Sequence, residues 1–203
     1  MERTIVYIDG FNLYFGLRSQ KWKRYYWLNL HKLSQSLLKP TQQLIKTKYF
    51  TAQISKPEDK RIRQRTFIEA LGTLPDLEIF FGKFYSSAMK CWNCGYVITR
   101  SNEKMTDVNI AVQMLNDAYR NAFDTAILIS ADSDLTEALN MIKSGFPDKR
   151  LIAAFPPNRF SVELSKIAHG YFSIGRKKFA ESVFPDTIVK PDGFELKIPD
   201  KWK

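Results

Sequence analysis

The sequence predicts an α/β protein with a central, mostly parallel sheet, and three observations carry this prediction. Short apolar runs of strand length alternate along the chain with segments of helical periodicity, which is typical of βαβ units. The runs are continuously apolar and rich in β-branched residues, as expected for parallel strands that pack against helices on both faces. The 203 residues, 44% of them hydrophobic, are enough to bury one such core.

The first half of the chain is predicted to alternate strands and helices. Strands are expected at residues 4–8, 44–51 and 77–85, where apolar and β-branched side chains run together. Helices are expected at residues 28–38, which Pro40 ends, and from Pro57 to about Leu71. Residues 86–105 contain both cysteines and are expected to be irregular.

The second half continues the alternation. Strands are expected at residues 125–130 and 150–155, and helices at residues 107–120, 135–144 and 160–168. In the first of these helices the apolar stripe that we expect to be buried consists of Val108, Ala111, Val112, Leu115 and Tyr119. We therefore predict one domain over residues 1–180, with a Cys-containing insertion at 86–105, and an extended surface tail over 181–203.

The composition excludes several classes of protein. Two cysteines, Cys91 and Cys94, cannot build a disulfide framework. No apolar run approaches the roughly 20 residues that span a bilayer, and Arg3 and Asp9 flank only a short apolar run, unlike a signal peptide. We expect a cytoplasmic protein with no membrane partner.

The positive charge is concentrated in residues 18–65, called here the basic segment. The chain carries a net charge of +10, and the basic segment alone holds 13 Lys and Arg against two acids, which gives it +11. Within it, Lys21, Lys23 and Arg24 are interleaved with aromatic residues, a pattern that favours a phosphate backbone with stacked bases. The alternative is a solvated helix face beside core aromatics. The sequence favours a polyanion such as RNA or another single-stranded nucleic acid.

Carboxylates follow two of the predicted strands. Asp9 comes directly after the first strand, and Asp132 and Asp134 follow the strand at residues 125–130. The carboxyl ends of neighbouring parallel strands meet at one sheet edge, where sites form in such folds. Asp107 joins them if residues 86–105 carry the chain back to that edge. Converging carboxylates repel unless a cation lies between them, and oxygen ligands suit Mg²⁺ or Mn²⁺.

Each carboxylate also has a structural explanation. Asp9 and Gly10 can form a simple turn. Asp107 can cap its helix, and Asp134 with Glu137 has the spacing of a capping box. Three coincident caps, two of them at the ends of buried strands, are less easily explained than one metal site.

Three motifs together resemble the NYN domain, a PIN-like ribonuclease family that includes the LabA and DUF88 group. They are Ile8-Asp9-Gly10-Phe11-Asn12-Leu13, Glu103-Lys104-Met105-Thr106-Asp107-Val108 and Ser130-Ala131-Asp132-Ser133-Asp134-Leu135. The resemblance spans about residues 3–175. It implies a three-layer α/β/α sandwich, a Mg²⁺- or Mn²⁺-dependent nuclease that cleaves RNA, and a homodimer.

The resemblance also implies roles for individual residues. It assigns metal binding to Asp9, Asp107, Asp132 and Asp134, places Asn12 near the metal or the scissile phosphate, and gives Ser130 a supporting hydrogen bond. Lys104 either contacts the phosphate or pairs with Glu103. Together with Lys21, Lys23 and Arg24, Lys104 and Ser130 form the predicted substrate-binding set.

The pair Cys91 and Cys94 is half of a tetrahedral zinc site, and the sequence has no second pair. Structural zinc and a metal-free reduced hairpin both remain open. Redox chemistry fits poorly, because the motif does not begin a helix after a strand.

Two rival functions remain beside the nuclease. Asp132, Asp134 and Thr136 match the Asp-x-Asp-x-Thr pattern of haloacid-dehalogenase-type phosphatases, but only 67 residues follow Thr136, and Asp9 and Asp107 would have no role. The stronger rival is an RNA-binding module with a weak or structural metal site and no cleavage.

Overall fold

One seven-stranded sheet separates two layers of helices in the computed structural model. The structure describes residues 1–203, except the side chains of residues 85–87 and 98–103. The strands are β1 (Glu2–Asp9), β2 (Gln42–Ala52), β3 (Leu77–Lys90), β4 (Val97–Lys104), β5 (Thr125–Ile129), β6 (Arg150–Phe155) and β7 (Gly170–Ser173). Their order is β4-β3-β2-β1-β5-β6-β7, and β4 alone of these strands runs antiparallel to its neighbour.

Helices cover both faces of this sheet. They are α1 (Gly10–Ser19), α2 (Leu30–Leu37), α3 (Glu58–Leu71), α4 (Thr106–Tyr119), α5 (Thr136–Gly145), α6 (Val162–Ile167) and α7 (Arg176–Glu181). The core on one face contains residues of α1, α2, α3 and α7, and the core on the other contains residues of α4, α5 and α6. The predicted α/β/α sandwich with a mostly parallel sheet is confirmed.

Strand β1 shows how the sequence builds both cores at once. Successive side chains of a strand point to opposite faces of the sheet. Val6 and Ile8 accordingly belong to one core, whereas Ile5 and Tyr7 belong to the other, and all four are 3% exposed or less. A continuous apolar run is therefore required at the centre of this sheet.

The segment predicted to be irregular, residues 86–105, is a strand pair. Strand β3 pairs with β2 as far as Gly82 and then with β4, from Lys83 opposite Lys104 to Lys90 opposite Val97. This β3–β4 hairpin extends past the carboxyl edge of the parallel strands, and β4 brings the chain back to that edge. The return that the sequence argument had to assume is thus supplied by antiparallel pairing.

The stripe predicted to be buried on α4 was wrong for three of its five residues, while Ala111 and Leu115 are half-buried and pack against the core. Val108, Val112 and Tyr119 are 60%, 55% and 81% exposed. The buried face instead carries Ile110 and Met114 together with polar residues such as Asp117. The buried face is therefore rotated relative to the predicted stripe and includes the polar residue Asp117.

The tail expected to be extended over 181–203 contains a small antiparallel pair, β8 (Thr187–Val189) and β9 (Glu195–Lys197). Leu196 and Ile198 are each 3% exposed and belong to the core beneath α1 and α3. The tail therefore completes a core as well as covering a surface.

Candidate active site at the carboxyl edge of the sheet

Asp9 ends β1 and caps the N-terminus of α1. Its Oδ1 accepts hydrogen bonds from the backbone amides of Phe11 (3.1 Å) and Asn12 (3.0 Å). Its Oδ2 accepts from Nδ2 of Asn12 and Oγ of Ser130, both at 2.8 Å. Asp9 is only 2% exposed. Four donors thus fix the rotamer of a buried carboxylate.

Ser130 and Asn12 tie the end of β5 to the end of β1. The amide of Asp132 donates to Oγ of Ser130 at 3.1 Å, and the amide of Ala131 donates to Oδ1 of Asn12 at 3.3 Å. The polar residues that follow the two neighbouring strands therefore form one hydrogen-bonded unit.

Three carboxylates converge at this edge. Asp9, Asp107 and Asp132 each offer an oxygen, and these atoms lie within 4.8 Å of one another. Asp107 reaches them from the first turn of α4, which begins where the β3–β4 hairpin returns. Asp134 is exposed and lies outside this group of three, and its amide donates to Oδ1 of Asp132 at 3.0 Å.

The electrostatics of this group favour a cation. Burial raises the pKa of Asp9, and the nearby charge of Asp132 adds to the rise, while hydrogen bonds from Asn12 and Ser130 oppose it. Among the described side chains, no Lys or Arg comes within 4.0 Å of Asp9 or Asp132. An all-oxygen ligand set of this kind fits a hard divalent cation.

The predicted substrate-binding cations lie at two other places. Lys104 is exposed at the end of β4, three residues before Asp107. Its alternative partner Glu103 has a side chain outside the described part. Lys21, Lys23 and Arg24 are exposed just beyond the C-terminus of α1. A ten-residue helix is about 15 Å long, so these three lie roughly that far from the capped end.

A cavity of about 600 Å³, called here the aromatic cavity, opens on the side of α1 that faces α3. Its walls come from α1, from the ends of β2 and β3, from α3 and from the tail, with Tyr14, Phe15, Tyr26, Phe67 and Trp202 among them. The sequence could not show this cavity, because its aromatic residues are far apart along the chain.

Cys91 and Cys94 lie at the tip of the β3–β4 hairpin. Gly95, with φ of 71°, donates to the carbonyl of Cys91 at 2.9 Å, which closes a tight turn. Both thiols are free, and hydrogen bonds from the amides of Cys94 and Asn93 lower the pKa of the Cys91 thiol. The turn thus presents two sulfur ligands together, far along the hairpin from the carboxylates.

The fold and the carboxylate group define a PIN-like domain of the nuclease superfamily. The NYN domain family matches residues 3–175, which is nearly the whole chain, and the chain belongs to that family.

Two further proteins are similar to this chain. The 6-hydroxy-3-succinoylpyridine 3-monooxygenase HspA of Pseudomonas putida (strain DSM 28022 / S16) is 29% identical over 206 aligned positions, which cover 82% of this chain. The match spans only 65% of that relative's length. A crystal structure of a protein of unknown function from Vibrio parahaemolyticus RIMD 2210633 superposes with a TM-score of 0.57 at 16% identity, over 90% of this chain and 96% of the other, and so supports the fold.

Within the described part of the chain, no helix combines the length and the apolar character that crossing a membrane requires.

Proposed function

We propose that the protein is a metal-dependent ribonuclease that hydrolyses phosphodiester bonds of RNA with Mg²⁺ or Mn²⁺. The observation that carries the proposal is the convergence of Asp9, Asp107 and Asp132 within 4.8 Å at the carboxyl edge of the sheet. Membership of the NYN family supports the same chemistry. Three buried or half-buried carboxylates are costly to hold together without a cation.

In this proposal Asp9, Asp107 and Asp132 hold the cation, which supplies activation of water and neutralises charge on the phosphate. Asn12 and Ser130 keep Asp9 oriented, since both donate to its Oδ2. A carboxylate has about four acceptor positions, and protein donors already occupy four on Asp9. The carboxylate that would hold the cation is therefore already oriented by hydrogen bonds, as metal-ligating carboxylates usually are.

Asp134 has a different place in this scheme. It is exposed at the mouth of the site, where its carboxylate can accept a hydrogen bond from an incoming water molecule. Its amide meanwhile holds the carboxylate of Asp132 in position.

The substrate strand is held by cations outside the carboxylate group. Lys104 stands beside the first turn of α4, and the basic segment supplies the positive field that concentrates a polyanion. In this arrangement the RNA runs from the hairpin side of the edge along α1 towards Lys21, Lys23 and Arg24.

Cleavage of a labelled single-stranded RNA with Mn²⁺ tests the proposal, with EDTA in a parallel sample. We expect Asp9→Asn and Asp132→Asn each to reduce cleavage by at least 100-fold, on the order of what loss of one electrostatic stabiliser costs. Asp192→Asn, which changes an exposed acid in the tail, is the matched control. Full activity of Asp9→Asn and Asp132→Asn would show that the assignment is wrong. Binding without cleavage by the unaltered protein would favour the RNA-binding module.

The aromatic cavity favours a second candidate, an enzyme that acts on a small heteroaromatic compound. The similar protein HspA is named for the oxygenation of such a compound, a hydroxypyridine. The check is consumption of 6-hydroxy-3-succinoylpyridine in air with a nicotinamide reductant. Turnover of this compound without cleavage of RNA would replace the first proposal.

Zinc at Cys91 and Cys94 stays a prediction. The hairpin tip offers two of the four ligands that a structural zinc site needs. Metal analysis of protein purified without added zinc, repeated on Cys91→Ser, distinguishes zinc from a metal-free turn.

The homodimer and the cytoplasmic location also stay predictions. Light scattering of the purified protein tests whether it is a homodimer.

A further inference from the structure

The aromatic cavity has no role in the proposed hydrolysis of RNA by the carboxylate group. Gly10 and Phe11, the two residues after Asp9, line it, and the amide of Phe11 donates to Asp9. A Cβ atom on Gly10 would lie 2.6 Å from the carbonyl oxygen of Phe50 and 2.7 Å from the hydroxyl of Tyr49. Because α1 packs this tightly on β2, only glycine fits at position 10, and the two residues that follow Asp9 form part of the cavity wall.

The walls of the aromatic cavity include large rings that are partly exposed. Tyr14 and Phe15 on α1 are 38% and 40% exposed, which is unusual for large rings beside an apolar core. The Tyr14 and Tyr26 rings are 5.0 Å apart, and the Trp202 ring meets Tyr26 edge-on at 5.9 Å. These rings form a continuous aromatic wall on which a further planar ring can stack.

The charged side chains that line the aromatic cavity, among those that the structure describes, are all basic. Arg18, Lys56, Lys60 and Arg63 line it, and none of the Asp and Glu side chains that the structure describes does so. Arg63 is paired with Asp59 at 2.9 Å, whereas Arg18, Lys56 and Lys60 form no ion pair with any described side chain. Aromatic walls with such cations match a planar ring that carries an anionic group.

We propose that the aromatic cavity binds one unpaired base of the RNA strand, with Arg18, Lys56 and Lys60 around its phosphate. The inference deepens the proposed function by naming the substrate class, a single strand or a strand with one base turned out. A cavity of about 600 Å³ lies within the range of small-ligand sites and accommodates a nucleotide. A base inside a duplex is stacked and paired, so it cannot enter without being turned out.

The test uses a short single-stranded RNA that carries one 2-aminopurine, in EDTA so that no cleavage occurs. We expect the fluorescence of the bound probe to be quenched by stacking. Tyr14→Ala and Tyr26→Ala should each relieve the quenching and weaken binding by about 5- to 150-fold, the range that loss of one stacked base implies. Arg18→Gln, an exposed change with little effect on folding, should weaken binding while leaving the quenching in place.

The matched control is Tyr119→Ala, which removes an exposed ring from the opposite helical layer. If Tyr14→Ala, Tyr26→Ala and Arg18→Gln bind the probe as tightly as Tyr119→Ala does, the inference is overturned. Tighter binding of the same RNA after annealing to its complement, or displacement of the probe by 6-hydroxy-3-succinoylpyridine alone, would overturn it as well.

The two proposals fail in different ways. Quenching that depends on Tyr14 and Tyr26, without cleavage in Mn²⁺, supports the base site and contradicts the nuclease. Cleavage that depends on Asp9, with quenching and binding unaffected by the cavity variants, supports the nuclease and contradicts the base site.

Discussion

Asp9 combines two roles in one side chain, since it caps α1 and contributes a buried carboxylate to the group of three. Asn caps helices as well as Asp does, so Asp9→Asn removes the charge and keeps the cap. The substitution keeps the two backbone hydrogen bonds of the cap but replaces the acceptor Oδ2 by a donor, so Asn12 and Ser130 lose their bonds to it.

The first prediction concerns the response of stability to metal. A cation that binds only the folded protein stabilises it by about 2.7 kcal/mol at 100 times its Kd. For a chain of this size that corresponds to a rise in Tm of about 5–11 °C. We expect Mn²⁺ to raise the Tm of the unaltered protein and of Asp192→Asn, and EDTA to reverse the rise. Asp9→Asn should show no rise, and an equal rise in that variant would place the metal elsewhere.

The second prediction concerns alkaline pH and Tyr49. Burial raises the pKa of Tyr49 to about 12, with the charge of Asp9 adding to the rise and a hydrogen bond with Thr51 opposing it. Because the folded pKa is raised, the stabilisation is fully present below about pH 10, where the unfolded tyrosine titrates, and is lost as pH rises towards 12. Urea unfolding from pH 8 to 11 should show a smaller loss of stability in Tyr49→Phe. Tyr119→Phe, at an exposed position, should follow the unaltered protein.

At the residue scale the sequence identified the acids that follow strands, because sheet topology brings such positions together. Asp9 and Asp132 lie at one edge, as that argument predicts, and Asn12 and Ser130, which the family resemblance singled out, lie beside Asp9. Asp134 does not join the three converging acids, since the turn after β5 points its carboxylate to solvent. A spacing of two residues cannot reveal which of two acids points inward in a non-repetitive turn.

Among the elements, β1, β2 and α4 are joined by a buried polar network that the nuclease does not use. Lys48 on β2 lies 2.7 Å from Oδ2 of Asp117 on α4, and the hydroxyl of Tyr7 on β1 donates to the same oxygen at 2.6 Å. Lys48 and Asp117 are each 6% exposed. The network fixes the rotation of α4 over the sheet and hence the direction from which Asp107 approaches.

The third prediction is that breaking this network is costly. Lys48→Met leaves Asp117 buried with one fewer cation and should lower the free energy of unfolding by about 3–5 kcal/mol. Arg65→Met breaks an exposed pair with Glu69 and should cost less than about 1 kcal/mol. Urea denaturation measures both. Equal costs would show that the buried pair contributes no more than the exposed one.

Adding Asp117→Leu to Lys48→Met should recover part of the loss of stability, because no unpaired buried charge then remains.

The same network explains why the buried face of α4 was not predicted. Periodicity counts apolar side chains, and it cannot recognise that Asp117 will be paired by a Lys almost 70 residues earlier in the chain. Strands β1, β2, β3, β5 and β6 and helices α2 to α6 were predicted because their local patterns are apolar and regular. The other strands and helices, β4, β7, β8, β9, α1 and α7, were not predicted.

Across the whole molecule, the excess of positive over negative charge is concentrated in the basic segment. The basic segment contains the end of α1, the helix α2, strand β2 and the first half of α3, whereas the rest of the chain carries a charge of −1. Arg24 alone among Lys21, Lys23 and Arg24 has an ion-pair partner in the described part, Asp186 at 3.6 Å, with both side chains 63% exposed. Such a pair contributes little, so all three cations are available to a polyanion.

The fourth prediction concerns the salt dependence of RNA binding. Replacing Lys21, Lys23 and Arg24 by Gln should weaken binding and reduce the slope of log K against log salt by about 0.7 for each phosphate that the protein no longer neutralises. Metal binding should be unchanged, because these residues lie about 15 Å from Asp9. Fluorescence anisotropy at several salt concentrations measures the slope. A matched triple change on the opposite layer, at Arg120, Arg150 and Lys166, should leave the slope unaltered.

The β3–β4 hairpin makes its own tip dispensable to the rest of the fold. Eight residue pairs run from the sheet edge at Lys83 to the last pair, Lys90 and Val97, and these seven steps span about 24 Å at roughly 3.4 Å per residue. An Asn-Gly turn can join Lys90 directly to Val97 and so delete both thiols while the register below is kept. In the intact chain the same two thiols are an attachment point for a fluorophore, placed to report the arrival of RNA without any change near the carboxylates.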